Sequence, residues 1–191
     1  MQPITYNQKV KTFPKKQKSL SAFTLIELLI VISILGVLAV VLLILIKPGE
    51  KLAQSRDIGR ISSVAQLGRA ISRYFVMHEQ TYPNPLTWNN DLMQTGEIKN
   101  FPSGIEYRLN SVTPCITNAE PEINPTFCYA LDVVNDNGAL IFSKLEATIE
   151  VEKCPIGDTY IVYSTADGRT GTICSDGDPT PWEPGTKNYL D

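Results

Sequence analysis

Residues 23–46 read FTLIELLIVISILGVLAVVLLILI, a run whose one ionisable side chain is Glu27 and which is closed by Lys47, Pro48 and Gly49. At about 1.5 Å rise per residue, a helix of this length spans about 36 Å, enough for a hydrocarbon layer of about 30 Å. The 19 residues after Glu27 carry no charge. The run therefore predicts a membrane-spanning helix rather than the core helix of a soluble domain. A cleaved secretory signal is the nearest competitor, but its apolar core should measure about 7–15 residues and end in a small-x-small cut. Here the run is longer and ends on Leu45, Ile46, Lys47 and Pro48.

Glu27 is out of place in such a span. Near a bilayer centre a carboxylate costs about 2.5–3.5 kcal/mol on insertion scales, and less toward the interface. It either snorkels to the headgroups or meets a cation within a protein assembly, since buried charges are tolerated when matched.

Outward from the run, charge is sorted by region. Residues 1–22 hold Lys9, Lys11, Lys15, Lys16 and Lys18 and no acid. Residues 47–73 set six bases against two acids, and residues 74–191 set six bases against 17 acids. The acidic C-terminal part repels phosphate backbones, so nucleic acid is not expected as a partner of that surface. The bias of positive charge across the span is slight, and the cysteines orient it better. Cys115, Cys128, Cys154 and Cys174 all follow the span and none has C-x-x-C spacing, which favours disulfides outside the cytoplasm. With 191 residues, 43% apolar and 19% charged, the chain is neither disordered nor collagen-like, and it suits one modest domain with an appendage.

Residues 19–38, SLSAFTLIELLIVISILGVL, preceded by Lys15, Lys16 and Lys18, resemble the N-terminus of type IV pilins and of the pseudopilins of type II secretion and DNA-uptake systems. The likeness lies in a basic leader, a small residue, Phe, Thr-Leu, Glu as the fifth residue after the junction, and then uninterrupted Leu, Ile and Val. It implies cleavage between Ala22 and Phe23 by a prepilin peptidase on the cytoplasmic side, N-methylation of Phe23, and a mature chain of 169 residues. Two positions depart from the family pattern: Ala22 stands where Gly is usual, and the proline common inside the first helix is absent. The resemblance implies an assembly role for Glu27. Its carboxylate and the new Phe23 ammonium would each be costly alone in an apolar bundle, and pairing them between neighbours would set the stagger.

Beyond the span, Ile58, Ile61, Val64, Gly68, Ile71 and Phe75 recur at intervals of three and four, with Leu67 and Tyr74 beside them. This predicts an amphipathic helix over residues 50–79, with Arg56, Arg60, Arg69 and Arg73 mostly on its other face. Pro48 and Gly49 predict a kink or break at the membrane surface. Tyr82, Pro83 and Pro85 end the helix, and a short helix follows through Leu92. Strands are expected at 105–109, 127–134, 139–142, 160–165 and 170–174. Asn135 to Gly138 gives one hairpin turn, and Asp167 with Gly168 gives another. The expected fold class is α+β: a long N-terminal helix, membrane-spanning and then amphipathic, packed on a small antiparallel sheet. The expected parts are a leader at 1–22, the hydrophobic helix at 23–46, its amphipathic continuation at 47–79, and a β-rich head at 80–191 ending in an irregular tail from Asp176.

Four cysteines allow three pairings. The local one, Cys115 with Cys128 and Cys154 with Cys174, is preferred; it closes loops of 13 and 20 residues, each worth roughly 3 kcal/mol in the chain-entropy view. The alternatives stay open. His78, the one histidine, falls near a helix end, where an exposed or capping role is commoner than catalysis. No nucleophile motif, phosphate loop, dinucleotide fingerprint or zinc spacing occurs, so an enzyme is not expected. Asp176, Asp178 and Glu183 are the best candidates for a calcium site, although an acidic solvated loop is the commoner reason for such a cluster. Trp88, Trp182 and Tyr189 could pack loops or form a binding surface.

The sequence thus leads to a structural subunit of a pilus-like filament, held in the cytoplasmic membrane with its head outside before assembly. Its expected partners are further copies of itself, related minor pilins, the peptidase and the inner-membrane assembly machinery. The alternative is a single-pass anchored binding module that does not polymerise.

Overall fold

The computed structural model describes residues 23–109, 112, 126–132 and 138–190. The chain forms two compact units, Met1–Leu45 and Ile46–Asp191. In the first, α1 (Leu25–Ile46) is one apolar helix with no buried residue, long and apolar enough to cross a membrane. Its Leu, Ile and Val side chains point out on every side, which suits a lipid or helix-bundle surround rather than water.

The second unit begins with a break. Lys47 takes a left-handed conformation (φ 46°), and Pro48 opens α2 (Pro48–Met77), where its missing N–H costs nothing because first-turn donors lack partners anyway. The expected break thus lies at Lys47. Ala53, Asp57, Arg60, Val64, Leu67, Gly68, Ala70 and Ile71 form the buried stripe of α2. Two expectations are corrected on this helix. Arg60 is fully buried rather than on the outer face, and Ile58 is 66% exposed although it continues the apolar spacing. Helix α2 stops at His78, and Glu79 and Gln80 then take positive φ, with the Gln80 N–H bonded to the Phe75 carbonyl. The short helix expected near Leu92 is α3 (Trp88–Gln94), which buries Trp88 and Leu92.

The sheet is a four-stranded antiparallel meander: β1 (Cys128–Leu131), β2 (Ala139–Lys144), β3 (Asp158–Ser164) and β4 (Arg169–Ser175), in that spatial order. Alternation sorts the side chains. Tyr129, Ala139, Ile141, Ile161 and Tyr163 face α2 and join Val64, Leu67, Ala70 and Ile71, together with Trp88 and Leu92. Their neighbours Cys128, Leu140, Phe142, Tyr160, Val162 and Ile173 form a second cluster, covered by Trp182 and Tyr189. Helix and sheet meet closely because residue 68 is glycine: a Cβ there would lie 2.0 Å from Tyr163 Cγ. The ring is then fixed by a 3.0 Å hydrogen bond between its hydroxyl and Ser72 Oγ.

Both predicted hairpins form, with Ala139 opposite Leu131 and Arg169 opposite Ser164. Strand β1 is described from Cys128 to Leu131, and residues 133–137, which hold the rest of the expected strand and the turn residues Asn135, Asp136 and Asn137, lie outside the described residues. Strand β2 runs two residues longer than expected, to Lys144. A one-turn helix, α4 (Thr148–Val151), was not expected. The strand expected at 105–109 does not form. The segment satisfies its backbone through side chains instead, since Arg60, Thr126 and Glu146 take the hydrogen bonds that a ladder would have used.

Candidate functional site

At the start of α1, Phe23 is 86% exposed and Glu27 is also exposed. Glu27 closes a reciprocal cap with Thr24. The Thr24 N–H and Oγ1–H donate to Glu27 Oε2 at 2.9 and 2.8 Å, and the Glu27 N–H approaches Thr24 Oγ1 at 3.3 Å. This is the T-x-x-E capping box, which satisfies orphan donors at a helix start. The pattern Thr24-Leu25-Ile26-Glu27 was readable in the sequence, but Glu27 was expected to snorkel to the headgroups or to meet a cation in an assembly, and a local cap was not expected. Among the described residues Glu27 Oε1 accepts no hydrogen bond, so one carboxylate oxygen is held locally and the other can take a further donor. Ala22, on the other side of the expected cut, lies outside the described residues.

A second polar constellation ties the head to α2. Arg60 Nη1 donates to Asp57 Oδ1 at 2.5 Å and to Glu146 Oε1 at 3.1 Å, and Arg56 Nε reaches the same Glu146 oxygen at 2.5 Å. Asp57 in turn accepts from the N–H groups of Glu146 and Ala147, at 3.0 and 2.8 Å. The second Glu146 oxygen accepts the N–H groups of Arg108 and Leu109, at 2.6 and 2.8 Å. Arg60 Nη2 donates to the carbonyls of Ile105 and Glu106, and its guanidinium lies 4.0 Å over the Tyr107 ring. Two bases thus face two acids, and the cluster pins segment 105–109 and the β2–α4 corner to one face of α2.

Burial and bonding set the ionisation here. Burial alone would raise Glu146, but the Arg56 hydrogen bond, the Arg108 and Leu109 donors and the Arg60 charge outweigh it and hold the carboxyl down at about 2. At Asp57 burial prevails over its N–H donors and Arg60, so that group titrates above its ordinary range. Tyr129 is likewise pushed up by burial; its hydroxyl donates to the Pro83 carbonyl. The paired and hydrogen-bonded charges of Arg56, Asp57, Arg60 and Glu146 are the marks of a structural clamp.

Cys154 and Cys174 are bonded, with Cα atoms 5.5 Å apart. Cys128 is also in a disulfide, and Cys115, its expected partner, lies outside the described residues. His78 caps the end of α2: its Nδ1 lies 3.0 Å from the Tyr74 carbonyl, and its ring stacks on Tyr74 at 4.0 Å. Asp178 accepts from the Tyr160 hydroxyl, and among the described residues no three His, Cys, Asp or Glu side chains gather as metal ligands, so Asp176, Asp178 and Glu183 are not brought together. Trp88 is core, while Trp182 and Tyr189 pack on the outer sheet face.

Residues 18–43 match the family model described as the prokaryotic N-terminal methylation motif, the signature of type IV pilins and pseudopilins. No curated protein and no solved structure matches the chain. The motif and the apolar α1 together fit a membrane-anchored single-pass protein, and the motif points to a structural, pilin-type role.

Proposed function

We propose that the chain is the precursor of a structural subunit in a type IV pilus-like filament, either a pilin or a pseudopilin. A prepilin peptidase removes residues 1–22 between Ala22 and Phe23, and the new Phe23 amine is methylated. Helix α1 holds the subunit in the cytoplasmic membrane with its disulfide-bonded head outside, until assembly machinery stacks it with other copies and related minor pilins. In the stack the Phe23 ammonium of one copy meets the Glu27 carboxylate of another.

One observation carries this reading: the methylation motif at 18–43 runs into a predominantly apolar helix of 22 residues, none of them buried, whose one charge is Glu27. So much exposed apolar surface needs a lipid or helical surround, worth about 25 cal/mol for each Å² removed from water. A lone carboxylate in that surround needs a cation. Thr24 holds Oε2, and among the described residues Oε1 accepts no hydrogen bond, so the carboxylate can accept an ammonium without giving up its own cap.

The deciding experiment is mass spectrometry of the N-terminal peptide from protein purified out of its native membrane. The expected product begins at N-methyl-Phe23. A chain that keeps its lysine-rich leader and remains monomeric would favour an anchored binding module instead.

A further inference from the structure

The C-terminal stretch 176–190 forms no helix or strand, yet it is fastened at several points. Its anchor is Asp167, in the turn between β3 and β4. Asp167 Oδ2 accepts from the Trp182 Nε1–H and the Tyr189 hydroxyl, both at 2.8 Å, and Oδ1 accepts the Gly185 N–H at 2.7 Å. Three donors spread along one stretch thus converge on a single carboxylate. Beyond the anchor, the Tyr189 ring fills the space over residue 171, where an added Cβ would lie 2.2 Å from Tyr189 Cδ1. The Arg169 guanidinium lies 3.9 Å from the centre of the same ring. The Leu190 N–H then donates to the Thr172 carbonyl at 2.8 Å.

What the stretch covers is informative. Strand β4 ends the sheet order, so its outer side is a sheet edge seven residues long, and Trp182 and Tyr189 lie on the cluster of Leu140, Phe142, Tyr160, Val162 and Ile173. An open, flat edge beside an apolar face is a template for strand pairing with another chain, and natural proteins cover such edges.

We propose that segment 182–190 is an edge guard: it closes a strand-pairing surface on β4 against a second copy of this chain, and Asp167 is its latch. The purpose rests on the filament reading, because an array of subunits holds heads at high local concentration, where open edges would compete with helix packing. Heads guarded in this way leave α1 as the route of assembly.

The test uses the full chain in detergent micelles and compares wild type, Asp167→Ala and Leu190→Pro. Leu190→Pro removes the N–H that donates to the Thr172 carbonyl and keeps Asp167 with its Trp182, Gly185 and Tyr189 donors in the sequence. Hydrogen–deuterium exchange of peptides covering β4 and light scattering are both recorded across a concentration series. For Asp167→Ala the expected result is exchange in β4 faster by about tenfold or more, with concentration-dependent dimers that a synthetic peptide of residues 178–190 reverses. For Leu190→Pro the faster exchange is confined to β4. Unchanged β4 exchange in both variants overturns the latch, and faster exchange with no association overturns the guard. If Asp167→Ala loses protection through α2 as well, Leu190→Pro decides alone. The variants keep residues 18–43, so a chain methylated at Phe23 with an unaltered edge sinks this inference and leaves the filament reading standing.

Discussion

Replacing Glu146 by Gln tests whether the buried cluster holds the head to α2. The carboxylate takes two arginine donors on Oε1 and two backbone N–H donors on Oε2. Glutamine is nearly the same shape, but one of its two terminal groups is an NH₂. Whichever way the amide turns, a donor faces donors, and Arg56 and Arg60 are left with Asp57 as the one acid in the cluster. Removing one partner of a buried ion pair costs about 3–5 kcal/mol. For a unit near 150 residues, each kcal/mol moves Tm by roughly 2–4 °C, so the expected fall at neutral pH is roughly 10 °C, read by circular dichroism of the full chain in detergent.

The pH dependence adds a second reading. The folded Glu146 carboxyl sits at about 2, below its ordinary value of 4.5. Its contribution is therefore complete above pH 4.5 and is lost as pH falls from there toward 2; the displacement is worth on the order of 3 kcal/mol. Asp57 acts with the opposite sign. Its folded carboxyl titrates above the ordinary range because it is buried, so protonation favours the folded chain and offsets part of the acid loss. Between pH 4.5 and 3 the wild type should lose Tm faster than Glu146→Gln, and the two curves should converge. Equal Tm values at pH 7, or curves that run parallel into acid, would refute the clamp.

Three further outcomes are expected. Gly68→Ala should lower Tm: alanine gains about 1 kcal/mol of helix propensity over glycine, but the new methyl must displace the Tyr163 ring, and overpacking costs about 1–3 kcal/mol. A thermal melt that rises would show that the ring yields freely. Replacing Cys154 and Cys174 together by serine opens a loop of 20 residues, so stability against urea should drop by roughly 3 kcal/mol; an unchanged midpoint would mean that packing alone holds β4. Glu27→Ala should leave the melting of the head unchanged, because α1 belongs to a separate unit with no buried residue, and it should abolish ordered filaments in electron micrographs. Filaments of normal yield and order would end the register role.

What the sequence revealed, and what it concealed, follows from how each residue is used. The strands Cys128–Leu131 and Tyr160–Tyr163 were legible as short apolar runs beside turn residues, with no polar alternation of their own, because both sheet faces are covered by apolar groups. The stretch Ile105-Glu106-Tyr107-Arg108-Leu109 does alternate and misleads, since alternation reports an extended backbone and not the identity of its hydrogen-bond partners. Those partners are Arg60, Thr126 and Glu146, and no local pattern could announce residues 21–46 positions away. The clamp stayed hidden for a related reason. Asp57, Arg60 and Glu146 are charged, so hydropathy assigns them to solvent, and their burial is tolerable because each completes the others. At that level of α2 the buried stripe is made of these polar groups, which is why Ile58 falls outside it despite its spacing. The tail shows the converse case. Its Pro, Gly and acidic residues read as an irregular solvated end, and irregular it is, but Trp182 and Tyr189 are too large and apolar to be idle there. Aromatic residues in a segment with no periodicity are a signal that the segment covers something, and here the cover lies over the sheet face that α2 leaves bare.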